Sequence, residues 1–302
     1  MIPIVFHPIY SQLTLPRNHR FPIEKYQALY DQAVLPRIDK FDVNFVDGPI
    51  SHEPLMLVHS PDYVRDFING DLSDKKMRRI GFPWSEQFVK RTLHAVAGTV
   101  MTAQLACEHD IAINLTGGYH HAHRDFGSGF CVFNDLMVAA RHVIDTQLAS
   151  RVLIFDCDVH QGDGTATCGQ TSPDIMTVSI HCEKNFPARK QSSDLDVGLP
   201  KDISNPAYLD AVASTLDTAI NAFKPDFIIY DAGVDIHEDD DLGLLNIDIK
   251  TVKARDLTVF STAKHLGIPV MAVIGGGYQR DIDALTQVHM QMIDAALDVF
   301  FV

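Results

Sequence analysis

Val152-Leu153-Ile154-Phe155-Asp156-Cys157-Asp158-Val159-His160-Gln161-Gly162-Asp163 runs from four apolar residues directly into three aspartates and a histidine. The apolar run reads as a short buried strand whose carboxyl end carries the polar groups. Side chains alternate faces along a strand, so Asp156, Asp158 and His160 are expected on one side for as long as the extended geometry persists. Two carboxylate oxygens and one imidazole nitrogen form a donor set suited to a first-row divalent cation. Taken alone, an Asp and a His at a strand end are as readily a hydrogen-bonded loop pair as metal ligands.

Three further clusters repeat the pattern. Gly117-Gly118-Tyr119-His120-His121 follows Ile111-Ala112-Ile113-Asn114-Leu115, Asp231-Ala232-Gly233-Val234-Asp235 follows Phe227-Ile228-Ile229-Tyr230, and Gly275-Gly276-Gly277-Tyr278 follows Val270-Met271-Ala272-Val273-Ile274. Helical periodicity falls between the strands, over Phe21 to Leu35, Ser85 to Cys107, Asp135 to Leu148, Asn205 to Phe223, Lys250 to His265 and Asp283 to Val299. Met1 to Phe6 and Ile175 to Ile180 read as additional strands. Strand and helix in alternation predict an α/β fold with a parallel sheet covered on both faces. Active sites in such sheets gather outside the carboxyl ends of the strands, where the four polar turns meet.

With no linker, repeat or low-complexity segment, residues 1–302 are expected to form one domain. Five cysteines without a C-x-x-C pair, and no signal-like or membrane-spanning run, fit a cytoplasmic protein. Cys157 is expected to face away from the polar cluster and pack into the sheet. The chain carries 25 basic and 39 acidic residues, a formal charge of −14, which argues against direct nucleic-acid binding and permits attraction of cationic substrates. The acidic run Glu238-Asp239-Asp240-Asp241 reads as a solvated loop.

The clusters also resemble a known family. Gly-Gly-Tyr-His-His-Ala (117–122), Gly-Ser-Gly-Phe-Cys-Val-Phe-Asn-Asp (127–135), Asp-Cys-Asp-Val-His-Gln-Gly-Asp-Gly-Thr (156–165), Asp-Ala-Gly-Val-Asp (231–235) and Gly-Gly-Gly-Tyr (275–278) are similar to the signature set of the zinc-dependent histone deacetylases. They occur in that family's order and span most of the chain. His19-Arg20-Phe21-Pro22, Gly81-Phe82-Pro83-Trp84-Ser85 and Gln161 look most like the class IV and related bacterial branch. The resemblance implies a single-domain, arginase-like three-layer α/β fold with an eight-stranded parallel sheet flanked by helices. It implies removal of acetyl or longer acyl groups from N-acyl-lysine in a protein or peptide.

Carried over motif by motif, the resemblance assigns Asp158, His160 and Asp235 to Zn2+, with Fe2+ able to occupy the same set. It assigns His120 and His121 to proton transfer, Asp156 and Asp163 to the far nitrogens of those two rings, and Tyr278 to the developing oxyanion. Gly129, Phe130, Phe186 and Gly276 are placed along the substrate channel. Asp156, Asp158, His160, Ser179 and Ile180 are placed around a structural K+, and Arg20 along an inner cavity for the released acid. A phenol donor opposite a divalent cation suits an amide carbonyl that gains negative charge during attack. Gly-rich turns allow the backbone to approach such a site closely.

A ureohydrolase would share the fold, but this chain reads Asp-x-Asp-x-His where a paired-metal site needs Asp-x-His-x-Asp. An acetylpolyamine or other small N-acyl amide is the alternative substrate. A non-catalytic metal-binding module is disfavoured because the ligand set, both His–Asp pairs and Tyr278 are all present. A monomer is expected, since no long insertion suggests an obligate dimer.

Overall fold

The computed structural model describes residues 1–301. Its eight strands are β1 (Ile2–Phe6), β2 (Phe41–Phe45), β3 (Ile111–Asn114), β4 (Val152–Asp156), β5 (Ile175–Cys182), β6 (Leu195–Leu199), β7 (Phe227–Asp231) and β8 (Val270–Val273). They form one parallel sheet in the order β2-β1-β3-β8-β7-β4-β5-β6. Every residue of β3, β4, β7 and β8 is buried, so both faces are covered there, as continuous apolar runs require. These four adjacent central strands are the ones that end in the polar clusters.

The helices are α1 (Lys25–Leu29), α2 (His52–Val58), α3 (Pro61–Asn69), α4 (Asp74–Ile80), α5 (Glu86–His109), α6 (Asp135–Asp145), α7 (Asp163–Gly169), α8 (Asn205–Phe223), α9 (Ile249–Leu266) and α10 (Ile282–Phe300). Side chains cap many of them. Ser85 accepts from Phe88 N, Asn134 from Met137 N, Ser204 from Ala207 N and Asp248 from Thr251 N. Each such cap contributes roughly 1 kcal/mol. Helix α5 packs on β1, β3 and β8, while α8 packs on β4, β5 and β6.

Several elements differ from the sequence reading. The first helix starts at Lys25 rather than Phe21, because Pro22 sits in a turn closed by Lys25 N donating to Pro22 O. It continues through a π turn over Tyr30–Val34. Helix α6 stops at Asp145, three residues before Leu148. Strands β2 and β6 were not anticipated, since at the two sheet edges their partial exposure replaces the apolar signal. Helices α2 to α4 were also missed, although Ser60-Pro61 with Gly70 and Ser73 with Gly81 supply start and stop residues. The extended geometry ends at Asp156, so Asp156 does not share a cluster with Asp158 and His160.

Buried histidines make the fold acid-sensitive. The His59 ring lies between His123 O at 2.9 Å and Asn134 N at 2.9 Å, and burial holds its pKa down at about 4. Burial similarly lowers His181 to about 4. Between pH 6.5 and 4 the unfolded chain takes up protons that the folded chain refuses, so stability falls as pH falls through that window. The His59 share is on the order of 3 kcal/mol. In denaturant melts across this range, His59→Gln, which can still donate and accept, is expected to flatten the slope. An unchanged slope would remove His59 as a source of the acid sensitivity.

Candidate active site and metal centre

The loops after β3, β4, β7 and β8 meet because those strands are neighbours in the sheet. Asp158, His160 and Asp235 come together there, all buried, with ligand atoms within 4.8 Å of one another. His160 Nδ1 lies 3.0 Å from Asp158 Oδ1 and 3.1 Å from Asp235 Oδ2. Burial opposes a charge on this ring, yet the two carboxylates raise its pKa to about 10. Burial and the Asp158 charge push Asp235 up to about 7. Positive charge is therefore favoured at the point the three side chains enclose. Asp235 Oδ2 is buried with no polar neighbour but the His160 ring to answer it, which leaves it able to bind a cation. This donor set and its burial fit a small divalent metal.

Gly276 forms the floor of this cluster. Its N–H donates to Asp158 Oδ2 at 2.9 Å, and a Cβ there would lie 2.1 Å from Asp235 Oδ2 and 2.3 Å from Asp158 Oδ2. Only a residue without a side chain allows the backbone so close to two carboxylates.

The histidine pair lies beside this cluster. His120 Nδ1 is 2.7 Å from Asp156 Oδ2, His121 Nδ1 is 2.6 Å from Asp163 Oδ1, and the two Nε2 atoms are 3.2 Å apart. Burial disfavours charge on both rings. At His120 the Asp156 and Asp158 carboxylates outweigh it and hold the pKa well above the usual imidazole range. At His121 burial and the adjoining His120 charge lower the pKa to about 4. His121 is thus the unprotonated ring. Asp163 also accepts at 3.1 Å from His123, which in turn lies 2.8 Å from Thr167 Oγ1. The sequence reading missed His123, although its position two residues after His121 was visible.

A channel of about 250 Å³ leads to these groups, lined by His121, Gly129, Phe130, His160, Asn185, Phe186, Leu242 and Tyr278. The Phe130 and Tyr278 rings lie 5.8 Å apart, and Phe186 meets His121 edge to face at 4.8 Å. Phe130 adopts φ +68°, a strained conformation for a bulky residue, held by its N–H donating to Ile80 O at 2.7 Å. Asn185 and Leu242 were not anticipated as lining. Each sits in a loop whose path sequence does not fix.

The five residues placed around K+ stay close together: Asp156 and Ser179 pair across β4 and β5, Ile180 is buried next to them, and Asp158 and His160, whose side chains face the other cluster, keep their backbone carbonyls for such an ion. Arg20 is exposed in an outer groove, not an inner cavity, because the turn closed by His19 N on Pro16 O directs it outward. Interior cations come instead from Lys25 and Arg91, 1% and 2% exposed. Lys25 Nζ donates to Gly275 O at 3.1 Å and Gly277 O at 3.3 Å, pinning the turn that carries Tyr278. Burial lowers its pKa to about 8. Gln161 holds the loop at Gln191 and Asp196 rather than facing the cluster. Cys157 is fully buried, away from the channel.

Asp231 forms a second acidic group with His120 and Asp156. Both its carboxyl oxygens are buried without partners, and burial together with the Asp156 charge raises its pKa well above the ordinary range. Arg255, fully buried, donates to Gly233 O at 2.6 Å and Ala232 O at 3.1 Å and pairs with Asp256 at 2.8 Å. It fixes the turn leading to Asp235.

Comparison with known proteins matches the family described as "Histone deacetylase domain" over residues 17–295. An uncharacterized protein of Picosynechococcus sp. is 45% identical over 99% of both chains. Histone deacetylase 2 of Arabidopsis thaliana is 30% identical over 85% of this chain and 71% of its own. Acetoin utilization protein AcuC of Bacillus subtilis is 29% identical over 91% and 76%. The crystal structure of acetylpolyamine aminohydrolase from Burkholderia pseudomallei shares the fold, with TM-score 0.80 and 19% identity over 99% of each chain.

Gly276→Ala is expected to force the two carboxylates apart and weaken binding of a divalent metal by about tenfold or more, with the circular dichroism spectrum retained. Competition titration with a metal indicator measures this. Wild-type affinity in that variant would separate Asp158 and Asp235 from the metal.

Proposed function

This chain belongs to the histone deacetylase family, and on that premise we propose that Zn2+ held by Asp158, His160 and Asp235 supports hydrolysis of an N-acyl-lysine amide. As a member of that family it is a hydrolytic acyl-amide deacylase. The observation that carries the site assignment is the convergence, at the end of one aromatic-walled channel, of His160, His121 and Tyr278. Fe2+ would fit the same oxygen and nitrogen donors. A K+ ion at Asp156, Asp158, His160, Ser179 and Ile180 belongs to the same proposal.

Held by Asp158, His160 and Asp235, a divalent cation would supply Lewis acidity, polarising an acyl carbonyl and lowering the pKa of a water molecule to about 7. The protein's own groups supply the rest. Asp163 accepts from His121 Nδ1, which leaves Nε2, 3.2 Å from His120 Nε2, without a proton of its own and able to take one from the attacking water and return it to the departing amine. Asp156 holds His120 with its charge, so that ring stabilises negative charge beside the reacting carbonyl. Tyr278 keeps its phenolic proton, because burial and the nearby carboxylates raise its pKa well above the usual value, and donates it as a hydrogen bond to the oxyanion. Phe130 and Phe186 enclose the lysine methylenes and keep water from the amide.

Zinc-loaded protein is expected to release acyl groups from a panel of acetyl-, octanoyl- and myristoyl-lysine peptides, to lose this on chelation and to regain it with Zn2+. The preferred chain length would define the acyl group. Release from small acylpolyamines alone would favour the alternative substrate. No release from any amide would overturn the assignment of these residues to catalysis. Tyr278→Phe is expected to lower kcat by about 100-fold or more with bound metal unchanged; near-normal turnover would remove the oxyanion role.

A further inference from the structure

We propose that the mouth of the channel selects acyl-lysine peptides carrying an acidic residue beside the acylated lysine, and disfavours polycationic substrates. The proposal rests on the deacylase reading and extends it to the substrate outside the channel.

The observation is a local reversal of charge. The chain as a whole has 14 more acidic than basic side chains, yet two grooves open onto the channel with arginines. The larger, about 780 Å³, shares Gly129, Phe130 and Phe186 with the channel and carries Arg79 and Arg189. Its one carboxylate, Asp163, is buried and occupied by His121 and His123. The second groove shares Leu242 and Tyr278 with the channel and carries Arg17, Arg20 and Arg280 against Glu24 and Asp241. Asp241 is already bonded to Arg280 at 2.8 Å.

Arg79 and Arg189 are exposed and have no carboxylate partner among the described residues. Arg79 is also held in place. Its guanidinium stacks 3.7 Å from the Phe126 ring centroid, and the backbone carbonyls of Arg79 and Ile80 accept from Gly129 N and Phe130 N of the channel wall. A charge fixed beside the entrance attracts an anion without the full entropy cost of ordering a free side chain.

An extended peptide advances about 3.3 Å per residue. Aspartate or glutamate within about three residues of the acyl-lysine therefore reaches this rim. The second amine of an acylpolyamine emerges among the same arginines and is repelled. The acidic run Glu238-Asp239-Asp240-Asp241 contributes only Asp241 to either groove.

The test compares kcat/KM of zinc-loaded protein on acetyl-lysine peptides with flanking Glu, Gln or Lys, and on N-acetylspermidine. A Glu-to-Lys preference of roughly fivefold or more is expected at about 0.01 M ionic strength, shrinking towards one at about 1 M, where the Debye length falls from about 30 to about 3 Å. Arg189→Glu is expected to reverse the order, and Arg79→Gln with Arg189→Gln to bring the ratio near one. Because the ratio is taken within each variant, a general loss of activity cancels. Equal rates across flanks, or a preference for Lys or N-acetylspermidine, would overturn the proposal while leaving the deacylase reading intact. If no peptide turns over, fluorescence anisotropy of the same labelled peptides decides it, and flank-independent binding overturns it.

Discussion

Five aspartates, Asp156, Asp158, Asp163, Asp231 and Asp235, are buried within a few ångströms of His120, His121, His123 and His160 at the carboxyl end of the sheet. Carboxylates so close and so dry repel one another strongly, and the surrounding structure is arranged to offset that repulsion. His120 answers Asp156, His121 and His123 answer Asp163, and Asp231 is driven towards its neutral form. The Asp158 and Asp235 pair shares His160, and a divalent cation bound there would supply the charge that the protein lacks. The same electrostatic demand that destabilises the empty centre makes it a strong metal site.

Support for this centre lies behind it. Arg255 grips the carbonyls before Asp235, Lys25 grips those on either side of Gly276, and Gly276 in turn holds Asp158. Two buried cations thus act on backbone rather than on the aspartates directly. They fix turns that would otherwise be free to relax away from the repelling carboxylates, which is how a loop site gains the rigidity of the strands beneath it.

The central strands were legible because burial on both faces leaves an uninterrupted apolar run, as in Val152 to Phe155 and Phe227 to Tyr230. The glycine- and aspartate-rich turns that follow them marked where a site would assemble. What sequence did not disclose follows from the third dimension. Lys25, Arg91 and Arg255 look like surface charges in a helix, since no periodicity marks a cation that bonds to carbonyls from distant turns. The close approach of Gly276 to Asp158 and Asp235 is likewise a matter of backbone path alone. Net charge is equally coarse: −14 describes the whole surface and does not disclose that Arg79 and Arg189 line a groove beside the channel.

The strand order also ties the centre to the timing of folding. Val270 of β8 pairs with Ile111 on one side and Ile228 on the other, so the last strand made inserts between two made earlier. Until it arrives, β3 and β7 each present an unpaired edge in the middle of the future sheet, and Gly276 is absent from beneath Asp158. A chain emerging from the ribosome therefore carries Asp158, His160 and Asp235 before the turn that packs beneath them has been made. Such non-local pairing is slow and exposes sticky edges to chaperones or to other nascent chains. Insertion of β8 thus both completes the sheet and brings the Gly276 turn beneath Asp158.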